Sequence, residues 1–397
     1  MRDTFVQEHD AEAKAAWDAF NAGRAVRPPV SLGTGTQFFI YNDDLNPGGA
    51  VDWERYCTDA DVMLDFQLRA AVWRAEHIAP YCDDPIGMPP NREAWLVRID
   101  LQNFDEAAHL GAPVLFLPGQ IPDTPTILAG DRKNALFDAG LPDPLTGACP
   151  EGSRRGWYKK AHEMLEQWQE RLRREPEYCG WPVRIDPFGW WSGGPLTLAV
   201  SLRGHELLTD LYEDPEYVRT LLDYLTEVTI DRVRAHARFF GMQDPPDSLW
   251  FADDNLMLLS VKMAREFMLP VYRKLKAEMT TAEHAKIHLC GDATRHFRWL
   301  KEEVGVNDFE TGFPVDHGRI RRELGPEVTI HGGPTVMLLH DGSPDEVRTE
   351  TQRILDSGVC EGGRFVLREA NNLAPHTPFA NLAAMYETAR AWRGFRD

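Results

Sequence analysis

The sequence predicts an α/β protein built as a single (β/α)8 TIM-type barrel over residues 1–397, and three observations predict it. First, from about residue 182 short apolar runs of strand length recur between helical segments: PVRID at 182–186, SLWFA at 248–252, KIHLC at 286–290, VNDFE at 306–310, VTIHG at 328–332 and RFVLR at 364–368. Second, the helix starts between them are punctuated by capping residues. Third, no GxGxxG or GxxxxGK[ST] string follows any of these runs. Repeated strand–helix units with apolar strands build either a closed eight-stranded barrel or a doubly wound open sheet. The missing glycine fingerprint favours the barrel.

Taken in order, residues 7–22 read as a helix within an N-terminal helical segment, 1–26. RPPVSLG at 27–33 ends it with prolines and begins an apolar strand. The stretch 118–156 is rich in Pro, Gly and Asp and predicts a long loop insertion, with no clean domain boundary around it. Asp214-Pro215 opens a helix over 215–239, and Asp292 precedes one that ends at Gly305. Ser343-Pro344-Asp345-Glu346 is a capping box, and Thr377-Pro378 opens the last helix, expected to close at Gly394.

Composition narrows the function classes. With 43% hydrophobic and 26% charged residues the chain can bury a sizeable core. A formal net charge of −19 repels phosphate backbones and anionic lipid heads, so neither nucleic acid nor membrane is an expected partner. No run approaches the roughly 20 apolar residues of a membrane helix, and the first residues lack a signal-peptide pattern, so a cytoplasmic protein is expected. Six cysteines are scattered without a CxxC pair, as reduced thiols are.

In a βα barrel the chemistry lies where strands end. The late strands run into Asp253-Asp254, His288-Leu289-Cys290, Glu310, His331-Gly332-Gly333 and Glu369-Ala370-Asn371-Asn372. His288 and Cys290 stand two apart on one strand and share a side, so imidazole and thiolate can face one ion of the zinc type, with Glu310 on the next strand as an oxygen ligand. The same HxC string also suits a buried cysteine beside a histidine satisfied by a carbonyl. Asp253, Asp254 and Glu310 are the catalytic candidates: adjacent carboxylates raise one another's pKa and suit acid/base work, although Asp253-Asp254 equally suits a capping turn. Trp190, Gly193, Gly194, His331 and Asn371 are the candidates for contact with a cofactor or substrate. The two glycines mark a close backbone approach, and Trp190 with Phe188 and Trp191 offers an aromatic wall.

Several phrases together resemble the uroporphyrinogen decarboxylase superfamily, which includes cobalamin-dependent methyltransferases. They are GGPLTLAVSLRGHELLTDLYEDPEYVRTLLDYLTEVTI, FADDNLMLLSVKMAREFMLPVYRKLKAEM, HLCGDATRHFRWLKEEVGVNDFE, LGPEVTIHGGPTVMLLHDGSPDEVRTETQRIL and LAPHTPFANLAAMYETAR, covering roughly residues 180–392. AFNAGRAVRPPV at 19–30 fits more weakly, and 40–180 shows little. The resemblance implies a single-domain distorted (β/α)8 barrel, often homodimeric. The PxWxMRQAGRY motif of the decarboxylases is missing between 20 and 60, which points to the methyltransferase branch. That branch places a zinc-binding HxC at His288 and Cys290 and a further cysteine at or near the position of Asn371. Cys360 precedes the last strand at its opposite end and is a poor replacement, which leaves His288, Cys290 and Glu310 as the expected metal set.

The function expected from this resemblance is a zinc-dependent methyltransferase that moves a methyl group between a small substrate and a corrinoid. Because the chain has no DxHxxG cobalamin motif, a separate corrinoid protein is the expected partner. One alternative is a decarboxylase of a tetrapyrrole or other carboxylated compound, and another is a barrel that only binds a ligand. A mouth that pairs aromatic rings with carboxylates disfavours a substrate bearing eight carboxylates and suits a neutral or cationic methylated one. Arg24, Arg27, Arg69 and Arg74 are the guanidiniums that would reverse that preference.

Overall fold

The computed structural model describes residues 2–148, 156–189 and 191–394. Its framework is a five-stranded parallel sheet of β4 (Trp250–Ala252), β5 (Ala285–Leu289), β6 (Val306–Thr311), β7 (Thr329–Gly332) and β8 (Phe365–Leu367), paired in chain order. Helices lie between consecutive strands, as parallel pairing requires. A second sheet holds β1 (Trp95–Val97) parallel to β3 (Trp181–Ile185), with β2 (Glu177–Tyr178) antiparallel on the other side of β3. Isolated parallel bridges extend both edges of the five-stranded sheet: Val30 pairs with Leu367 of β8, and Ser192, just after β3, pairs with Phe251 of β4.

The six apolar runs all become strands, each within about two residues of its expected bounds. Their alternation is visible in β5, where Ala285, Ile287 and Leu289 are buried under helices while Lys286 and His288 project from the other face. The helix signals also hold. Asp214 accepts from Tyr217 N to cap Pro215–Phe239, and Ser343 with Glu346 forms a reciprocal capping box.

Three expectations need correction. The segment 27–33 makes one bridge rather than a strand, because Pro28 and Pro29 have no N–H to give and the Val30 carbonyl accepts from Asp83 N. The last helix stops at Ala391. The loop 118–156 carries a helical piece over 130–139 within its described part. The region 40–180, where the resemblance is slight, supplies β1 and several helices, among them Ala60–His77 and Trp157–Arg174. No helix among the described residues is long and apolar enough to cross a membrane.

The strand starts opposite the site are tied by one buried guanidinium. Arg321, 1% exposed, donates to the carbonyls of Val328, just before β7, and Arg364, just before β8, and to those of Val359 and Gly325. Replacing it with Met would leave buried carbonyls without donors, each worth about 1–3 kcal/mol. Arg321→Met is therefore expected to lower the unfolding free energy by at least about 3 kcal/mol in denaturant titrations.

Candidate functional site

At the C-terminal ends of the strands the backbone opens into a cavity of about 620 Å³, lined among others by Trp191, Trp250, Asp254, His288, Cys290 and Glu310. Parallel pairing sets His288 of β5 level with Ala252 of β4 and Glu310 of β6. Cys290 follows β5 by one residue, and its backbone N–H donates to Asp254 Oδ1 at 2.9 Å. That bond turns the Asp254 carboxylate toward the His–Cys pair. His288 Nε2 lies 3.2 Å from Cys290 Sγ and 3.7 Å from Asp254 Oδ1, while Nδ1 on the other edge of the ring lies 3.0 Å from Glu310 Oε1.

The group that converges is therefore Asp254, His288 and Cys290, with donor atoms all within 4.8 Å of one another. The expected set with Glu310 as a ligand is corrected by the ring's geometry. Glu310 faces Nδ1 and Cys290 faces Nε2, so Glu310 occupies the place of the carboxylate that orients a metal-bound histidine. A tetrahedral ion bound at about 2.0–2.3 Å separates neighbouring donors by roughly 3.3–3.6 Å, and the observed spacings of 3.2 and 3.7 Å lie just either side of that range. One thiolate, one imidazole and one carboxylate also form a donor set that a borderline ion accepts.

The electrostatics follow from the same contacts. Burial by itself would lower the His288 pKa, but pairing with Cys290 and Glu310 outweighs burial and raises it to about 10. Glu310 is held down to about 2, because the His288 and Arg368 contacts overcome the upward push of burial. Arg368, which no sequence signal singled out, reaches the cavity wall and donates to Glu310 Oε1 at 2.8 Å and Glu369 Oε1 at 2.7 Å. Asn371 has φ 97°, in the left-handed region where Asn is among the more tolerated residues, and its Nδ2 donates to Cys290 Sγ at 3.5 Å. Cys360 is buried away from the cavity, its thiol pushed up to about 12 by burial.

Other expected residues divide differently. Asp253 is fully buried and does not line the cavity. It accepts from Leu196 N, from Thr197 N and Oγ1 and from Tyr272 OH, so it anchors the start of helix Pro195–Arg203, and burial pushes it up to about 7. Gly194, φ 99°, sits so close that a Cβ would lie 2.3 Å from Ala252 O, and Gly193 N donates to Glu106 Oε2 at 2.8 Å. The close approach at Gly194 is thus to the chain itself, while Gly193 lines the cavity. His331 is held by Asp308 at 2.9 Å and lies outside the cavity lining. Trp190 lies outside the described residues, and Phe188 is buried core. Trp191 does reach the cavity, tilted 55° against Trp250 with centroids 5.7 Å apart.

Three of the four guanidiniums of the N-terminal half are engaged elsewhere. Arg27 pairs with Asp83, Arg74 with Asp84 and the Leu32 carbonyl, and Arg69 with the carbonyls of Leu45 and Asp65. What sequence reasoning missed is a second polar cluster on the cavity wall. Asp105 and Glu106 follow β1 on a short helix, and buried Arg232 donates to Glu106 Oε1 at 2.5 Å and to Tyr158 OH at 2.9 Å. β1 is only three residues long and shows no periodicity to flag the acids that follow it. Their adjacency, two carboxylates side by side in an apolar context, was the one available signal.

Comparisons with known proteins agree with this architecture. The family model described as Uroporphyrinogen decarboxylase (URO-D) matches residues 187–392, and the chain belongs to that family. It is 24% identical over 300 residues to the methylcobamide:CoM methyltransferase MtbA of Methanosarcina mazei, covering 75% of this chain and 80% of that protein. It is 23% identical over 203 residues to MtbA of Methanosarcina acetivorans and 26% identical over 216 residues to the uroporphyrinogen decarboxylase of Coxiella burnetii. These two matches cover 50% and 51% of this chain and 57% of either relative. A solved methyltransferase from Methanosarcina mazei shares the fold at a TM-score of 0.59 and 17% identity, over 95% of this chain and 98% of that one.

Burial raises Glu106 from 4.5 to about 7 against the opposing pull of Arg232. A carboxyl with a raised folded-state pKa binds its proton more tightly when folded, so its contribution to stability is present at low pH and declines as pH rises from 4.5 to about 7. Glu106→Gln is expected to flatten that part of the stability–pH curve in denaturant titrations. A curve of unchanged shape would contradict this assignment.

Proposed function

We propose that this chain is a methyltransferase holding a zinc-type ion on Asp254, His288 and Cys290, and that it moves a methyl group between a small substrate and a corrinoid carried by a separate protein. The observation that carries this reading is the convergence of those three side chains in one cavity of the family fold. Relatives named for methyl transfer from methylcobamide support the corrinoid partner. When bound, such an ion lowers the pKa of a thiol and turns it into a nucleophile.

The chain's own residues prepare that site. Glu310 holds His288 by Nδ1, which leaves Nε2 directed at the ion's position. Asn371 donates to the Cys290 sulfur from the place where the family's branch carries a further cysteine. Residues 1–397 are proposed to form one closed barrel: the Val30 bridge on β8 and the Ser192 bridge on β4, with β1 beside β3, supply the strand positions that complete a ring of eight.

The cavity's charge selects its substrate. Asp105, Glu106, Asp123, Asp254 and Glu310 line it, and the guanidinium of Arg368 is already engaged by Glu310 and Glu369. This favours a neutral or cationic methylated compound over a polycarboxylate and argues against the decarboxylase alternative.

Metal analysis of protein purified without chelator is expected to find about one equivalent of ion, absent from Cys290→Ser. Glu310→Gln should keep the stoichiometry but weaken affinity roughly 10–100-fold, as loss of an orienting carboxylate does. Wild-type protein without metal that still transfers methyl groups would refute the reading. Uroporphyrinogen incubated anaerobically is expected to keep its acetate carboxyls, and its decarboxylation at an enzymatic rate would promote the lyase alternative.

A further inference from the structure

The wall of the cavity formed by Asp105 and Trp191 leads onward. Asp105 and Trp191 line both the 620 Å³ cavity and a small one of about 50 Å³ behind it. Arg98 and Asp100 in turn line both that small cavity and a third, of about 440 Å³, bordered by Arg74, Leu96 and Asp186. The small cavity is polar, with Asp100, Gln102, Asp105 and Tyr158 around it, and has the size and character of a space that water fills. Asp100 is partly exposed and accepts from Thr36, Tyr56 and Gln102, while Asp105 is 5% exposed.

From this succession of shared walls we infer that Asp105 is a proton relay, exchanging protons between the active cavity and solvent by way of the small cavity and Asp100. The step balances simply: a donor in the cavity loses its X–H bond as an O–H bond forms on the Asp105 carboxylate. That proton then passes to water in the small cavity and on to Asp100, and the reverse sequence delivers one. Thiol activation releases a proton and decarboxylation consumes one, so the inference stands under either chemistry.

The surroundings suit the role. The groups facing Asp105 are Glu106 on its own helix, Arg232 from helix Pro215–Phe239 at 3.9 Å, Tyr158 from helix Trp157–Arg174 at 3.2 Å, and Asp100. His109 and His236 pack on the Tyr158 ring, and burial lowers both to about 3, so they add no positive charge near neutrality. Two buried carboxylates against one guanidinium leave a charge uncompensated, so the pair retains a proton that it can give or take. Both acids are hydrogen-bonded, Glu106 to Arg232 and Gly193 N and Asp105 to Glu106 N and Tyr158 OH, but of the two only Asp105 borders both cavities.

Infrared titration of the whole protein tests this without any substrate. Wild type is expected to show a titrating protonated-carboxyl band shared by Asp105 and Glu106, its frequency shifted in Asp105→Glu and its midpoint lowered in Asp105→Asn, where Glu106 loses the neighbouring negative charge that raises it. Temperature-jump relaxation of that band should slow by roughly 10²-fold in Asp100→Asn, a loss typical of one positioned proton-transfer group. A conservative Asp100→Glu should restore the rate. The inference is overturned if wild type shows no such band, or if Asp100→Asn exchanges at the wild-type rate, since protons would then enter through the mouth alone.

Discussion

The parallel ladder between β5 and β6 carries a one-residue offset, and the arrangement of the cavity depends on it. Ala285 pairs with Val306, but Lys286 pairs with Asp308, so Asn307 is passed over and the ladder resumes with Lys286 beside Asp308 and His288 beside Glu310. Without the offset His288 would face Phe309, a fully buried residue that packs on Phe297 under the next helix. A bulge of this kind re-aims every later side chain on its strand. It is what sets Glu310 against Nδ1 and leaves Nε2 to Cys290 and Asp254.

Around this ladder the buried charges divide into those that hold the frame and those that face the cavity. Asp253 and Asp254 are neighbours with opposite employment. One takes donors from helix Pro195–Arg203 and Tyr272, and the other turns toward Cys290. Arg27 with Asp83 ties the N-terminal segment to Tyr386 of the last helix, and Arg321 gathers carbonyls at the far ends of β7 and β8. Asp253, Asp83, Arg27 and Arg321 are buried and hydrogen-bonded, as a charge taken out of water must be. Arg368 belongs to both groups, since it borders the cavity while its positive charge is already balanced by two carboxylates.

The parts legible in the sequence are those written in local terms. Short apolar runs between helical segments gave away β5 and β6, and side-chain caps marked helices Pro215–Phe239 and Pro344–Ile354. The His288–Cys290 pairing needed only the rule that alternate residues of a strand share a face. Illegible were features in which distant segments meet: Glu106 and Gly193 lie 87 residues apart, and Glu106 and Arg232 lie 126 apart. The RPPVSLG strand failed for a local reason that was visible but underweighted, since two prolines cannot donate to a ladder.

Taken by itself, the sequence determined the α/β character, the positions of six strands, and the placing of His288, Cys290, Asp254 and Glu310 at strand ends where a site would form. Strand-forming runs, capping residues and side-chain alternation act over a few residues, so they survive in one dimension. Tertiary structure alone decided which carboxylate joins the His–Cys pair and which stands behind the imidazole, because that follows from ladder register and from the Cys290 N–H bond to Asp254. It also decided that Asp105 stands between two cavities, since a cavity is a space left by the packing of several elements and has no representation along a single chain.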